Sequence, residues 1–200
     1  MRLVIATNNA KKRQEIATIF SNTALIIVPT SETIHVDVLE DGDSFAANAR
    51  KKAVAFAQVN GCAALADDSG LCVEALHGAP GIYSSRFAGD SCDDTANNIH
   101  LLKTMAGQEN RNAYFICHIC LLMPAGHRYL SAEGRSDGYI LNRLDGSEGF
   151  GYDPLFFSKD LGKSFAHASA KEKASVSHRG RALRMLYSQL QESIKNSGVQ

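Results

Sequence analysis

The sequence has no excess of either charge and no long apolar run. Its 21 basic and 21 acidic residues balance, and no basic run is longer than the one in ARKKA. The basic footprint of a nucleic-acid-binding protein is therefore not expected. No apolar stretch reaches the length of a transmembrane helix, and the apolar start MRLVIATNN is too short for a signal peptide. We expect a soluble, cytoplasmic protein that binds neither nucleic acid nor a membrane.

Cysteines are few, odd in number and scattered, at positions 62, 72, 92, 117 and 120. This usage argues for reduced thiols rather than a disulfide framework. Cys117, His118 and Cys120 in FICHICLLM could suggest a zinc site. The stretch is dense in β-forming residues, and strand alternation would place Cys117 on one face and the other two on the opposite face. We therefore interpret it as a strand.

The hydrophobic periodicity predicts strands and helices that alternate early and strands that neighbour each other in the middle of the chain. Ser44 and Gly61 are predicted to bound a helix, and Gly107 to close another. We expect an α/β fold in a single domain over 1–200, with a mixed β-sheet flanked by helices. The predicted strands are RLVIA, ALIIVP, IHVDVL, CAALA, GLCVEAL, NAYFICHICLLM and HRYLSAEGRSDGYI, and the predicted helices are TNNAKKRQEIATIF, SFAANARKKAVAFAQVN, DDTANNIHLLKTMAG and 177–195.

Two adjacent carboxylates, Asp67 and Asp68, stand in the stretch LADDSGL after an apolar run. One interpretation is a strand that ends in a turn, because Asp, Ser and Gly favour turns. The other is a cation site, because magnesium takes oxygen ligands and is commonly held by one or two carboxylates together with substrate phosphates. The stretch alone favours the turn.

Three further polar motifs lie at predicted strand ends and helix starts, where open α/β sheets gather ligands. ATNNAKK at 6–12 precedes a helix, whose N-terminus favours anions, and it adds lysines. SHRGRAL at 177–183 places cations in a first helical turn, where an anionic ligand would compensate them. GFGYDP at 149–154 offers an aromatic face between glycines, which suits stacking on a nucleobase. Each motif also has an ordinary structural explanation as a cap, a basic surface turn or a β-turn.

Together, the four motifs describe a nucleoside triphosphate site. In this order they resemble the inosine triphosphate pyrophosphatase family, the non-canonical purine nucleoside triphosphate pyrophosphatases known in bacteria as RdgB. The matching stretches are ATNNAKKRQE, EDGDSF with NARKKA, ADDSGL, GAPGIYSSRFAG, GFGYDPLF and EKASVSHRGRAL. The resemblance implies hydrolysis of ITP, dITP and XTP to the monophosphate and pyrophosphate, with Mg²⁺ as cofactor. It also implies a homodimer of elongated subunits with two lobes and the active site in the cleft between them.

The resemblance also assigns roles to individual positions. Asp68 would be the general base and, with Asp67, a metal ligand. Ser69 and Lys173 would contact the substrate, and His178 with Arg179 would read the purine. The triphosphate would be bound by Thr7, Asn8, Asn9, Ala10, Lys11 and Lys12, and the base and ribose by Phe150, Gly151, Tyr152 and Asp153.

One position departs from the family pattern F-x-E-N-A, whose glutamate the resemblance makes a magnesium ligand. Here FAANA places Ala47 there, and a methyl group cannot bind a hard cation. Either the residue is an engineered Glu→Ala change that traps substrate, or a neighbouring acid such as Glu40, Asp41 or Asp43 serves instead. We expect hydrolysis to be slow and Ala47→Glu to raise its rate by at least about tenfold, and equal rates would show that another acid already fills the place.

Two other functions compete with this hypothesis. The first is a catalytically weak purine-nucleotide-binding protein of the same fold, which the alanine at position 47 favours. The second is a related pyrophosphatase of the Maf type, acting on modified pyrimidine nucleotides, which SHRGRAL and GFGYDP disfavour.

Overall fold

The strands of the protein form a mixed sheet. The structure, a computed structural model, describes residues 1–21, 23, 25–123 and 128–197. Within these residues the strands are β1 (Arg2–Ile5), β2 (Ile26–Ile27), β3 (Ala63–Val73), β4 (Asn112–Leu122), β5 (Tyr129–Ile140), β6 (Phe156–Ser158) and β7 (Lys163–Ser164). Their order in the sheet is β2-β1-β3-β4-β5-β6-β7. β1 runs parallel to β2 and β3, whereas β6 is antiparallel to β5 and β7, which confirms the predicted mixed sheet.

The helices in the described residues begin and end close to the predicted positions, except the one over Ala170–Val176, which was not predicted. They are α1 (Ala10–Phe20), α2 (Phe45–Asn60), α3 (Asp94–Thr104), α4 (Ala170–Val176) and α5 (His178–Ser197). Ser44 caps α2 by accepting a hydrogen bond from the backbone N–H of Ala47 at 3.3 Å. Gly61 ends the helix in the left-handed conformation, at a φ of 60°, which glycine adopts without a steric cost. Capping residues and apolar periodicity thus predicted α2 correctly.

The chain divides into two compact units. Unit 1 comprises Met1–Asp68, Cys117–Gly134 and Arg179–Gln200, and unit 2 comprises Ser69–Ile116 and Arg135–His178. The expectation of a single domain over 1–200 stays a prediction.

In unit 1 the alternation of β1 sends side chains to two apolar clusters. Leu3 and Ile5 pack with residues of α1 and α5, and Val4 packs with residues of α2. The periodicity that predicts a helix over 177–195 rests on apolar residues at helical spacing, and Ala182, Leu183, Leu186 and Leu190 are buried in the core. The side chain of Ile194, which belongs to the same pattern, lies outside the described residues. Unit 2 has its own core, in which Phe115, Leu101, Tyr152, Phe156 and Phe165 are buried together.

Two of the strand predictions are wrong in detail. CAALA and part of GLCVEAL belong to one continuous strand, β3, so LADDSGL is not a turn. IHVDVL contains no strand. There the backbone N–H and C=O of Ile34 bond to the side-chain amide of Asn60, at 2.8 and 2.9 Å, instead of to a strand. Among the described residues, no helix has the length and hydropathy that crossing a membrane requires.

Candidate functional site

The turn between β1 and α1 carries the predicted phosphate-binding residues. Asn9 caps α1 by accepting from the backbone N–H of Lys12 at 3.0 Å, and Thr7 Oγ1 accepts from the N–H of Asn9 at 3.1 Å. Arg13 secures the turn by donating to the carbonyl of Thr7 at 2.7 Å. Asn8 bonds to the Nδ1 of His35 at 2.9 Å. This turn therefore holds a helix N-terminus at the end of a buried strand, with Ala10 and Lys11 exposed.

Asp67 lies at the centre of a buried ion-pair cluster in unit 1. Its Oδ2 accepts from Nε and Nη2 of Arg179, at 3.1 and 2.9 Å, and lies 3.4 Å from Lys12 Nζ. A third guanidinium nitrogen, Nη1, donates to Glu15. The thiol of Cys117 lies 4.0 Å from the same carboxylate oxygen. Side chains from β3, β4, α1 and α5 thus meet at one carboxylate.

The charges of this cluster stabilise one another against burial. Burial alone would raise the pKa of Asp67, but attraction by Lys12 and Arg179 outweighs it and holds that pKa well below its ordinary value. Burial likewise disfavours the cationic form of Arg179, but Asp67 and Glu15 more than compensate and raise its pKa. Asp67 is therefore ionised across the physiological pH range.

Asp68 belongs to a different cluster of unit 1, because successive side chains of a strand point to opposite faces. Its Oδ1 lies 3.3 Å from Lys52 Nζ, which also lies 3.0 Å from Glu40 Oε2. Its Oδ2 accepts from the amide of Asn48 at 3.2 Å. Asn48 and Lys52 are four residues apart on α2 and so share one helix face. Two carboxylates therefore share one lysine.

The carboxyl of Asp68 titrates in the opposite direction from that of Asp67. Burial, reinforced by the negative charge of Glu40, raises the pKa of Asp68 to about 6, although Lys52 acts against the shift. Glu40 is also buried in part, but Lys52 and a hydrogen bond with Asp68 lower its pKa. Near neutral pH Asp68 is thus a carboxylate that accepts a proton readily.

The residues around Asp68 fit a divalent cation. Glu40 and Asp68 are neighbouring carboxylates whose mutual repulsion a cation would relieve, and their oxygens are the ligands magnesium prefers. The other two candidates are occupied differently, because Asp41 pairs with Lys51 and Asp43 accepts from Ser44 Oγ at 3.1 Å. No group of three or more His, Cys, Asp or Glu side chains suited to a metal occurs in the described part of the chain. Water or phosphate oxygens would complete the coordination.

A loop in unit 2 carries the predicted base-binding residues. The ring of Phe150 is half-buried, and the ammonium of Lys173 lies 4.6 Å from its centre. Asp153 binds both residues, since its Oδ2 accepts from Lys173 Nζ at 2.6 Å and from the backbone N–H of Phe150 at 2.8 Å. A Cβ on Gly149 would stand 2.1 Å from the same Oδ2, so only glycine permits this approach. The cation and the carboxylate hold the aromatic ring in place.

Helix α3 and a neighbouring serine fix the rest of this loop. The N–H of Gly151 donates to Asp94 at 2.8 Å, and its C=O accepts from Asn98 at 2.8 Å. The hydroxyl of Tyr152 donates to the carbonyl of Ser84 at 2.8 Å. Tyr152 is itself a core residue, so it supports the loop from within.

The remaining predicted residues are placed as follows. His178 is buried in unit 2, and its ring stacks on that of Phe115, with 4.7 Å between the ring centres. Ser69 is half-buried in β3. The structure brings Lys12, Asp67 and Arg179 together in one cluster and Phe150, Asp153 and Lys173 in another.

Sequence reasoning missed several residues of these clusters. Lys52 and Asn48 had an available signal, because a polar pair at helical spacing in an alanine-rich helix that packs on a core requires partners. Glu15, three residues after Lys12, had a similar signal. Nothing in the sequence near Asp94 and Asn98 indicates their role, because they contact a loop more than fifty residues away along the chain.

Comparison with known proteins gives consistent matches over almost the whole chain. The Ham1 family profile matches residues 3–189. A dITP/XTP pyrophosphatase of Desulforamulus reducens is 49% identical over 187 residues, covering 92% of this chain and 92% of that protein. One of Desulfotalea psychrophila is 44% identical over 194 residues, covering 96% of this chain and 86% of that protein.

Solved structures give the same result. The Ham1 protein of Staphylococcus aureus matches with a TM-score of 0.85 and 37% identity, covering 96% of this chain and 100% of that one. A HAM1 protein of Coxiella burnetii matches with a TM-score of 0.86 and 35% identity, covering 96% of this chain and 99% of that one.

Proposed function

The chain belongs to the Ham1 family, and on this premise we propose that it hydrolyses non-canonical purine nucleoside triphosphates such as dITP, ITP and XTP. The products are the nucleoside monophosphate and pyrophosphate. Relatives at 41–49% identity are named dITP/XTP pyrophosphatases, and their matches span most of this chain. The protein is thus a nucleoside triphosphate pyrophosphatase that removes non-canonical nucleotides from the nucleotide pool.

The observation that carries the proposal is the environment of Asp68. A carboxylate with a pKa of about 6 is ionised at neutral pH, yet basic enough to take a proton from water. We assign it this role as the water oxygen bonds to the α-phosphorus and the α–β phosphoanhydride bond breaks. Lys52 stays cationic, because Asp68, Asp67 and Glu40 outweigh its burial and raise its pKa. It holds Asp68 in place through Oδ1.

We propose magnesium as the cofactor, held by Asp68 and Glu40. When bound there, it would neutralise charge on the phosphate oxygens. The Glu40 contact with Asp68 and Lys52 supports the interpretation that a neighbouring acid serves in place of a carboxylate at Ala47. The contacts of Asp67 with Arg179 and Lys12 support a different role for it, the anchoring of Arg179.

We assign binding of the triphosphate to the turn at the start of α1, from Thr7 to Lys12. Its helix N-terminus and Lys11 favour an anion. In unit 2 we assign the half-buried face of Phe150 to stacking on the purine, with Gly151, Tyr152, Asp153 and Lys173 holding that loop. Ser69, His178 and Arg179 keep their predicted roles as substrate contacts.

The test is steady-state release of pyrophosphate from dITP, XTP, dATP and dGTP with magnesium. We expect release from dITP and XTP, and about 10⁴-fold lower kcat/KM for dATP. His178 and Arg179 would donate to the 6-oxo group of the purine, and the 6-amino group of adenine would leave these donors unpaired. Tight dITP binding by calorimetry without any release of pyrophosphate would favour the nucleotide-binding alternative. Comparable kcat/KM for dITP and dATP would contradict the purine specificity.

Three finer expectations rest on the resemblance and are proposed with it. The protein should be a homodimer, so light scattering should give about twice the chain mass of 21.6 kDa. It should be cytoplasmic, where the nucleotide pool is. It should not bind nucleic acid, since its charges balance.

A further inference from the structure

Asn48 is a buried polar residue near the start of α2 that no predicted role includes. Its side chain is 1% exposed, and its backbone N–H bonds to the carbonyl of Ser44 at 3.1 Å. A buried amide in this position must satisfy both its oxygen and its nitrogen, or it destabilises the fold. Its partners therefore indicate what it is for.

The amide of Asn48 joins two parts of unit 1. Its Oδ1 accepts from the backbone N–H of Gly42 at 2.8 Å, and its Nδ2 donates to Asp68 Oδ2 at 3.2 Å. A backbone N–H can only donate and a carboxylate accepts, so both contacts use the amide in one orientation. One side chain thus connects the segment that carries Glu40 to the strand that carries Asp68.

The contact at Gly42 is close enough to exclude a side chain. A Cβ there would stand 2.6 Å from Asn48 Oδ1 and 3.0 Å from the Cβ of Ala47. The segment 40–43 therefore lies directly against the first turn of α2. The methyl group of Ala47 is part of that contact surface.

The two oxygens of Asp68 are held from different sides. Asn48 binds Oδ2, while Lys52 binds Oδ1 and also holds Glu40. Rotation of the Asp68 carboxylate would break one of these contacts. Loss of the bond to Gly42 would release the segment from which Glu40 reaches Lys52.

We infer that Asn48 is a positioning residue that fixes Glu40 and Asp68 relative to each other. This inference rests on the proposed function, in which the two carboxylates hold magnesium and Asp68 takes the proton. In this role Asn48 acts through the two carboxylates, by way of its contacts with Gly42 and Asp68. A purely structural role would lower stability without changing turnover or the affinity for magnesium.

The test compares Asn48→Ala, which removes both contacts, with Asn48→Asp, which keeps an acceptor for Gly42 but cannot donate to Asp68 when ionised. The matched control is Asn60→Ala at the other end of α2. Asn60 also joins a loop to the helix, through the backbone of Ile34, but no carboxylate is among the contacts described for it. All variants are measured for kcat, KM for dITP, thermal unfolding and magnesium binding by calorimetry in the absence of nucleotide.

We expect kcat to fall about 10²-fold in both Asn48 variants, with KM for dITP within about threefold, because misplaced reacting groups cost roughly this much. Magnesium affinity should fall about tenfold in Asn48→Ala. In the double variant Asn48→Ala with Glu40→Gln the losses should not add, because Asn48 acts through Glu40. Asn60→Ala should lower the unfolding temperature but leave kcat and magnesium affinity within about threefold of wild type.

Loss of stability alone in the Asn48 variants, or additive losses in the double variant, would overturn the inference. If Asn48 variants do not fold, Gly42→Ala displaces the same segment and should give the same loss of kcat and magnesium affinity, and wild-type values there would also overturn it. A wild-type chain that binds magnesium but releases no pyrophosphate would refute the proposed function. The measurement of magnesium affinity by calorimetry would then still decide the role of Asn48.

Discussion

Asp67 and Asp68 are neighbours on one strand and both are buried, yet their surroundings give them opposite properties. Asp67 faces Arg179 and Lys12, and its pKa is far below the ordinary value. Asp68 faces Glu40 and Lys52, and burial raises its pKa to about 6. Enzymes use surroundings of this kind to give two titratable groups different pKa values and therefore different roles. From this comparison we propose that Asp67 anchors Arg179 and that Asp68 acts in catalysis.

The largest expected effect is a loss of stability when the ion-pair cluster of Asp67 is disrupted. Arg179→Met removes the cation but keeps much of the side-chain volume, and it leaves a buried carboxylate without its main partner. We expect a loss of about 3–5 kcal/mol in the free energy of unfolding. Chemical denaturation measures it, with Arg2→Met as control, because Arg2 pairs with Glu32 at the exposed surface and should contribute at most about 1 kcal/mol. Equal losses in both variants would contradict the anchoring role.

The contribution of Asp67 to the stability of the fold has a defined pH dependence. Because the folded-state pKa of Asp67 lies below the unfolded value, its contribution to stability is complete above about pH 4 and is lost as the pH falls from there toward the folded-state pKa. The difference in stability between wild type and Asp67→Asn should therefore be constant from pH 5 to 7 and should narrow below about pH 4.

The cluster around Asp68 is tested with Glu40→Gln, which keeps the shape of the side chain but removes its charge. We expect kcat for dITP to fall about 10²-fold, because the proposed second carboxylate ligand of magnesium is lost. Glu32→Gln, an exposed acid of the same unit, is the matched control and should keep wild-type turnover. Unchanged magnesium dependence in Glu40→Gln would exclude Glu40 as a ligand.

A smaller effect is expected in unit 2. Phe150→Ala should weaken ITP binding by about 1–3 kcal/mol through the lost stacking face, with little change in the stability of the free protein. The half-buried ring under Lys173 supports this expectation over a core role, for which a stability loss of about 3–5 kcal/mol would be expected. Melting curves with and without ITP separate the two outcomes.

The smallest effect is expected at Ala47. Because Glu40 already lies beside Asp68, Ala47→Glu should change the rate of pyrophosphate release by less than about threefold at saturating magnesium. A rise of about tenfold or more would show instead that the carboxylate missing at this position limits the reaction.

Much of the fold follows from local patterns, whereas the division between Asp67 and Asp68 does not. Ser44 and Gly61 are enough to place α2, because caps act within a few residues. The composition of LADDSGL favoured a turn, since nothing nearby in the chain announces that these carboxylates have buried partners. Arg179 is 112 residues from Asp67. Strand alternation could have separated the two acids, but only after the stretch was recognised as a strand.

The strand predicted over IHVDVL was wrong for a related reason. Val36 and Val38 do pack against the apolar cluster of unit 1 that contains Val4 and residues of α2, so the alternating pattern indicated burial correctly. The backbone bonds of Ile34, however, go to the side chain of Asn60. Periodicity reports which side chains are buried and not what the backbone bonds to.

The most direct measurement is a paired one, on Asp67→Asn and Asp68→Asn, of both pyrophosphate release from dITP and the free energy of unfolding. We predict that Asp68→Asn lowers turnover by about 10²–10⁴-fold while remaining nearly as stable as wild type. Asp67→Asn should show the larger loss of stability, about 3–5 kcal/mol, and the smaller loss of turnover. The opposite ranking, with Asp68→Asn active and Asp67→Asn stable but inactive, would contradict the assignment of the two carboxylates.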